Sequence, residues 1–405
     1  MINAHIFTTT SKEFFLKQSP GMSPELDGVR FTFGIDVPAD CDVLIVYTRA
    51  SFAIPVDLPK ERTVFVAGEP DVIHPYNPAF LNQFGLVLTT SPKPLTTRKL
   101  HENYCAPWFA GLSLWSDGTP RSLKGLDWFQ TLEIPEKQNR ISVITSTKTH
   151  TEYHRKRLSF VEALSREMGD LIDFYGIGGN SVADKNDALL PYRYHIALEN
   201  GTGDFTWTEK LSDPLLCWAF PFHAGCENIG DDLPAGSFAK IDLDDPQGSI
   251  ARIREAVEAD QWSASLPAIT EARQRIMGRF NLMYLFVRLA KEAVAALPDE
   301  PERRPSRLIY SERSFPPGPG ERGSWAGAMV RRAALSVDPH VELRIARLRA
   351  RKDAFKAAWR GRKARRISAK VTSKDGATEI TTSSKRDMAK AECRSTKKLN
   401  DMNRL

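Results

Sequence analysis

The 405-residue chain is poor in cysteine, and its five cysteines make no pattern: Cys41, Cys105, Cys217, Cys226 and Cys393 are scattered, with no CxxC pair. No histidines stand at zinc-ligand spacing, so neither a disulfide framework nor a structural zinc site is expected. A reduced intracellular setting follows as the plain expectation. No run approaches the roughly 18 apolar residues needed to span a bilayer. The opening residues, MINAHIFTTTSKEFF, have neither a basic n-region nor an apolar h-region, which argues against a secretory signal. The expected location is cytoplasmic, free or peripheral on the inner face of the cytoplasmic membrane. A dinucleotide fingerprint is also missing. Gly176-Ile177-Gly178-Gly179-Asn180 is glycine-rich but not GxGxxG, and reads as a flexible turn. No DxD-type metal motif stands at a strand end; Asp231-Asp232 and Asp244-Asp245 read as helix-capping or surface residues in turns.

Charge is present but unevenly spread. The net +6 conceals a basic end: residues 301–405 hold about 27 Lys/Arg against about 11 Asp/Glu, whereas residues 1–300 hold about 29 against about 39. The basic balance therefore belongs to the tail and not to the body.

Short β-branched runs bounded by turn residues predict strands at Ile2–Thr8, Cys41–Tyr47, Thr63–Ala67 and Phe84–Thr89, with helical stretches near Lys12–Lys17 and Pro78–Gln83. Residues 1–125 make an N-terminal α/β domain. Leu112–Asn139 has no clear period and suits an interdomain connection. A second domain, 126–297, opens with Arg140–Thr145 as a strand, Ser146–Thr151 as a polar loop and Glu152–Met168 as a helix. Leu158, Val161, Leu164 and Met168 mark that helix's buried stripe. Leu171–Tyr175 follows as a strand, completing a β-α-β unit of a parallel sheet. Further on come a strand at Ser237–Leu243, a helix at Gln247–Asp260, and a long helical pattern over Pro267–Ala296. Two α/β domains facing each other across a cleft, a GT-B-like arrangement of two Rossmann-like halves, accounts for this order. Residues 298–340 are a Pro/Arg-rich linker. Val341–Lys370 is a basic amphipathic helix, and the remainder to Leu405 is a disordered tail. The tail reads as a binder of an anionic membrane surface or as a solubilising extension, with nucleic acid a weaker reading.

The stretch Tyr192–Gly225 concentrates the functional signal. Tyr194–Leu198 suits a buried strand, Glu199–Phe205 a polar loop, and Thr206 or Thr208 the start of a helix that Pro221 stops. A strand, a polar loop and a helix N-terminus are the parts of a nucleotide site in an open α/β sheet. Arg155, Lys156 and Arg157 sit early on the helix after the preceding strand, within reach of a phosphate; a solvated basic face is the alternative. Glu69 follows the strand Thr63–Ala67 in the turn Gly68-Glu69-Pro70-Asp71. A carboxylate there can act as a general base, though local sequence alone reads as a solvated turn, with His74 an ordinary loop histidine.

Tyr194–Asn200 (YHIALEN) followed by Thr208-Glu209-Lys210 resembles the paired "F-x-L-x-F-E-N … Y-V-T-E-K" signature of α1,3-fucosyltransferases, glycosyltransferase family 10. Phe220–Gly225 is similar to the family's "V-P-V-V-x-G", Leu233–Phe238 to its "P-P-G-S-F", and Ile241-Asp242 to the pair after it. Arg157–Leu164 resembles its "R-x-x-[FY]-x-x-[AS]-L" helix and Asp173–Gly176 its "VDVYG" strand. The likeness covers about residues 140–245, is weak over 1–110, and is absent from the tail. It departs at Thr206-Trp207, which stand where the family has Tyr-Val, and at Gly201, where serine is common. Trp207 is thereby expected beside the sugar or base pocket.

The resemblance implies an inverting enzyme of GT-B fold that uses GDP-fucose. By position, Arg157 would bind the donor diphosphate, Glu209 and Lys210 the sugar or ribose and phosphate, and Glu199 and Asn200 would shape the strand end. Ala67-Gly68-Glu69-Pro70 matches the "T-G-E-N"-like turn that carries the bacterial base, which makes Glu69 the expected base. Inversion needs one base opposite the leaving group, and Lys210, Arg157 and helix N–H groups can meet the leaving diphosphate without a metal. No cofactor is required by this reading; stimulation by Mn or Mg stays open. The expected acceptor is a hydroxyl of a cell-surface glycan such as lipopolysaccharide. A different nucleotide-sugar donor, or a non-catalytic sugar-nucleotide- or glycan-binding protein, are the alternatives.

Overall fold

The computed structural model describes residues 1–114, 120–145, 149, 151–176, 182–298, 306–317 and 324–348. These fall into two compact units. The first takes Met1–Arg49, Asp57–Leu114 and Pro120–Arg307; the second takes Ala50–Val56 and the described residues from Leu308 onward.

The first unit opens with β1 (Ile2–Phe7), α1 (Glu13–Leu16), β2 (Glu25–Leu26), β3 (Val29–Gly34) and β4 (Val43–Tyr47). After β5 (Ile54–Val56), which belongs to the second unit, come β6 (Thr63–Val66), α2 (Pro78–Leu81), β7 (Leu86–Thr89) and β8 (Arg98–His101). They form a seven-stranded sheet in the order β2-β3-β1-β4-β6-β7-β8, parallel throughout except for the β2–β3 pair. Val43–Ile45 and Val64–Val66 are buried, as strands of a parallel sheet covered on both faces must be. Three of its strands were not expected, among them the two-residue β2. In β3, Val29 and Phe31 alternate with exposed Arg30 and Thr32, and the apolar signal is diluted by half. The edge strand β8, Arg98-Lys99-Leu100-His101, carries almost none.

A short antiparallel pair, β9 (Leu112–Leu114) and β10 (Pro120–Leu123), and α3 (Leu126–Thr131) lead to the second sheet. Its elements are β11 (Gln138–Thr145), α4 (Glu152–Met168), β12 (Ile172–Gly176), α5 (Asn186–Leu189), β13 (Tyr192–Gly203), α6 (Glu209–Leu216), β14 (Phe220–Cys226), α7 (Ile229–Asp232) and β15 (Ala239–Lys240). The order is β12-β11-β13-β14-β15, all parallel. The architecture is α/β, with two Rossmann-like parallel sheets in one chain.

Three boundaries depart from the sequence expectation. The polar loop expected at Glu199–Phe205 is an irregular extension of β13, which holds pairing with β14 as far as Gly203↔Cys226 after a register shift. The strand expected over Ser237–Leu243 is only Ala239–Lys240. The pattern over Pro267–Ala296 is two helices, α9 (Gln261–Met277) and α10 (Leu282–Ala296), preceded by α8 (Pro246–Glu258). Asn281 makes the break: its side chain accepts from Met283 N–H at 2.9 Å and Tyr284 N–H at 3.4 Å, capping a new helix. α10 then packs on the first sheet, with Phe286 against Phe15, Phe31 and Tyr47 at centroid distances of 6.2, 6.5 and 5.7 Å.

In the second unit β5 pairs with β16 (Arg307–Ile309), and α11 (Trp325–Val337) is capped by Ser324, so the stretch 298–340 contains regular elements. Residues 341–348 are helical, and Glu342 is buried among Ala53 N–H (2.6 Å), Ser311 Oγ (3.0 Å) and Arg331 Nη1 (2.7 Å). The rest of the basic segment, Val341–Lys370, and the tail to Leu405 lie outside the described residues from 349 onward. So do 177–181 of the glycine-rich turn and 146–148 and 150 of the loop before α4.

Candidate functional site

In the second sheet the chain passes from β11 to β12 on one side and to β13 on the other. The crevice at the carboxyl ends of β11 and β13 is therefore the topological switch point, where open α/β sheets bind ligands. A cavity of ≈ 250 Å³ lies there. Thr145 ends β11 in its wall, Leu198 and Asn200 come from β13, Arg157 from α4, and Glu209, Lys210 and Asp213 from α6.

The N-terminus of α6 is held from below. Thr208 is the N-cap residue, with its N–H donating to Glu199 Oε1 and its hydroxyl to Glu199 Oε2, both at 2.7 Å. Glu199 is 1% exposed, so it underpins the site and does not line the cavity. Burial pushes its carboxyl up from the ordinary value, against the opposing pull of Lys210. Gly225 on β14 makes room: a Cβ there would stand 2.4 Å from Glu199 Cβ, and its φ of +141° suits glycine.

Above this support the charges interlock. Lys210 Nζ is 3.1 Å from Glu209 Oε1 and 3.6 Å from Glu199 Oε2. Lys185 Nζ is 3.6 Å from Glu209 Oε1 and 2.9 Å from Asp213 Oδ2. Burial alone would raise the Glu209 carboxyl, but the two ammonium groups outweigh it and hold it at about 2. Burial would lower the Lys210 ammonium; Glu209 and Glu199 outweigh that and raise it above the usual lysine range. Arg157, 6% exposed, donates from Nη1 to Asn200 Oδ1 at 2.5 Å. Its Nε and the hydroxyl of Thr145 are buried without hydrogen-bond partners among the described residues. Arg157 and Lys210 give the cavity wall the positive charge that an anionic ligand needs.

Glu69 lies in the first sheet's half-buried turn after β6. Burial raises its carboxyl; Lys210 pulls it down, Glu209 pushes it up, and Arg49 and His74 pull it down, so the turn is within electrostatic reach of α6. The neighbouring strand end is constrained. Thr48, just past β4, has φ of +66°, costly for a β-branched residue, and its N–H donates to Val66 O at 2.8 Å. Gly68 must be small, because a Cβ would fall 2.3 Å from Thr48 Oγ1. From the other sheet Gly201 approaches the same turn: its Cβ would meet Val72 Cγ2 at 2.3 Å.

Arg157, Asn200, Glu209 and Lys210 thus share one cavity, Glu199 sits beneath it, and Glu69 is electrically coupled to it from the first sheet. Arg155 is exposed, and Lys156 pairs with Asp244 at 2.6 Å, outside the cavity. Trp207 is not in the pocket. It is 2% exposed, donates to Asp232 Oδ2 at 2.8 Å and packs on Phe280. Asp232, expected at the surface or as a cap, is instead the buried acceptor of that indole, whereas Asp245 does cap α8. Sequence reasoning missed Lys185, Asp213, Thr145 and Asn103. Asn103 donates to the carbonyls of Phe205 and Trp207, both at 2.9 Å, fixing the connection from β13 to α6. None of the four lies in a motif, and only the long-range fold brings them in.

Among the described residues no three His, Cys, Asp or Glu side chains form a metal-binding group, and no helix is long and apolar enough to cross a membrane.

Fold and site define an α/β protein with two parallel sheets and a cation-lined polar cavity at one switch point. No protein-family profile matches the sequence, and no curated protein matches it. Solved structures do align. An α1,3-fucosyltransferase with GDP-fucose matches at 15% identity over 65% of this chain and 81% of its own, with a TM-score of 0.41. A glycosyltransferase from Rickettsia africae ESF-5 matches at 8% identity over 74% and 99%, with a TM-score of 0.43. A structure described as "Trehalose-6-phosphate from E. coli bound with UDP-2-fluoro glucose" matches at 7% identity over 72% and 99%, with a TM-score of 0.43.

Proposed function

We propose that this protein is an inverting glycosyltransferase of GT-B type. It takes a nucleotide sugar, GDP-fucose by the resemblance of its signature residues, and transfers the sugar to a hydroxyl of a cell-surface glycan such as lipopolysaccharide. The carrying observation is the cavity at the β11/β13 switch point, where Arg157 and Lys210 meet Asn200 and Glu209 and two buried donors stand unpartnered. In this reading Arg157 and Lys210 bind the diphosphate and stabilise it as it leaves, Glu209 and Asn200 hold the sugar or ribose, and Glu199 keeps the N-terminus of α6 in place. Glu69 removes the proton of the attacking hydroxyl. No metal is needed for the charge balance, and any Mn or Mg effect would be stimulation.

A base must be ionised to work, and burial raises the Glu69 carboxyl, so kcat/KM should fall with decreasing pH through a limb above the ordinary glutamate value. Glu69→Ala should lower transfer by about 10²–10⁴-fold with GDP binding intact. Calorimetry with GDP and a radiolabelled transfer assay measure the two halves; full activity in that variant removes Glu69 from the mechanism. A thermal-shift panel of GDP-, UDP-, ADP- and CMP-sugars tests the donor, and stabilisation by another nucleotide alone would replace GDP-fucose. Product formation separates the enzyme from a non-catalytic sugar-nucleotide-binding protein.

The partner proposed for the C-terminal region is an anionic membrane surface, on the inner face of the cytoplasmic membrane. Two observations favour it: the solvent side of α11 presents Trp325, Met329, Val330 and Val337, with Val337 88% exposed, and the sequence from 349 onward is rich in Lys and Arg.

A further inference from the structure

The cavity holds a cation outside every motif of the sequence. Lys185 is the N-cap residue of α5, between β12 and β13, and its ammonium joins Glu209 to Asp213. Asp213 is itself fixed: its side chain is 1% exposed, and its oxygens accept the Phe109 N–H at 3.1 and 3.3 Å. Phe109 also lies under the Lys185 ammonium, 5.1 Å from ring centroid to nitrogen. The Lys185 head group is therefore held between a buried, backbone-anchored carboxylate and the carboxylate proposed to face the donor.

The charge balance shows what this accomplishes. The cavity wall carries three cations, Arg157, Lys185 and Lys210, against two acids, Glu209 and Asp213. Without Lys185 the wall is neutral on balance and two carboxylates border it, one of them buried and left with the more distant Lys17 ammonium alone to offset it. A diphosphate entering such a site loses its net attraction and meets repulsion from the two carboxylates.

We propose that Lys185 is a third cation of the donor site and the positioning residue of Glu209, holding that carboxylate against Lys210 and cancelling the Glu209–Asp213 charge so that a nucleoside diphosphate can enter. This rests on the reading of the cavity as the donor site. The groups facing Glu209 are Lys210 and Asp213 on its own helix, Arg157 on α4, Lys185 at α5, Glu199 on β13, and Glu69, Tyr47 and Tyr104 from the first sheet's side. Asp213 faces Lys185, Glu209 and, from the first sheet's side, Lys17, whose ammonium burial lowers to about 8. Once Lys185 is gone, burial pushes both Glu209 and Asp213 up with less opposition, so acid should neutralise them and partly restore anion binding.

Calorimetric titration of the full chain with GDP, at pH 8 and at pH 5.5, tests this in Lys185→Met, Lys185→Arg and wild type. The expected result is a loss of at least tenfold (~1.4 kcal/mol) in affinity for Lys185→Met at pH 8. That deficit should narrow at pH 5.5, and Lys185→Arg should recover most of the affinity. An affinity within twofold of wild type, or a deficit equal at both pH values without rescue by arginine, overturns the proposal. If Lys185→Met does not fold, Asp213→Asn decides: removing that acid should maintain or raise GDP affinity, and a tenfold loss overturns the proposal. Wild type that binds no nucleoside diphosphate removes the donor-site reading and this inference together. Binding by wild type that the Lys185 variants match removes the inference alone.

Discussion

His195 shows how a single side chain sets a pH response. It lies in β13, 4% exposed, with Nδ1 2.8 Å from Ser142 Oγ, and burial drives its pKa down to about 3. The folded protein keeps it neutral while the unfolded chain protonates it near 6.5, so its contribution to stability falls as pH drops below that value. Between pH 7.5 and 5.0 the cost amounts to about 2 kcal/mol. Urea unfolding of His195→Asn should therefore show a variant that gains about that much relative to wild type at pH 5.0 compared with pH 7.5. A relative stability that does not change with pH would mean that the imidazole is charged in the folded state. Nothing in the run Tyr194–Leu198 announces this. The surrounding apolar run foretells that the residue is inside, and only the register of β11 beside β13, which sets Ser142 opposite His195, tells what it meets.

At the scale of elements, the junction of β13 and α6 depends on one hydroxyl. Thr208 caps the helix and its hydroxyl donates to a buried carboxylate, so Thr208→Val removes the cap and strips Glu199 of a partner. Loss of an N-cap costs about 0.5–2 kcal/mol, and a buried charged acceptor left short of a donor adds about 1–3 kcal/mol. Thermal unfolding should show Thr208→Val destabilised by about 1.5–5 kcal/mol on those figures, whereas Thr208→Ser should stay within about 1 kcal/mol of wild type. If valine is tolerated as well as serine, Glu199 has found another partner and does not organise the helix through this hydroxyl.

The elements also show what a sequence discloses. The apolar runs Val43–Tyr47, Thr63–Val66 and Tyr194–Leu198 identify themselves, because a strand buried on both faces is made mostly of apolar residues. The signature Glu199-Asn200 with Glu209-Lys210 was also readable, since both halves are short and local. The extension of β13 past Glu199 was not, because it is held by pairing to β14 and by the close approach of Gly225. Trp207 misled for the same reason: adjacent in sequence to the site, it is turned away by Asp232 and Phe280, which come from far along the chain.

At the scale of the molecule, truncation can distinguish the buried anchor of the second unit from the proposed membrane contact. Glu342 is buried within the second unit, bonded to Ala53, Ser311 and Arg331. A chain ending at 340 loses that carboxylate and leaves Arg331 and the Ala53 N–H without it, so it should be less stable by several kcal/mol, about 3–5 for a broken buried pair. A chain ending at 348 keeps it. The shorter tail should reduce sedimentation with vesicles containing anionic lipid and leave transfer to a soluble acceptor unchanged. Undiminished vesicle binding by the chain ending at 348 would assign the contact to the exposed face of α11 alone.

The pair Gly201 and Val72 has a practical consequence. Val72 is 55% exposed, on the turn that bears Glu69, and its methyl group occupies the space that any side chain at 201 would need. Residue 201 is thus a doorstop whose thickness can be chosen. Replacing the glycine with progressively larger residues would prop the Glu69 turn away from β13 by graded amounts, without altering a charged group at the site. A series of such wedges would convert the distance between base and donor cavity into an adjustable variable, readable as a change in turnover at constant nucleotide affinity.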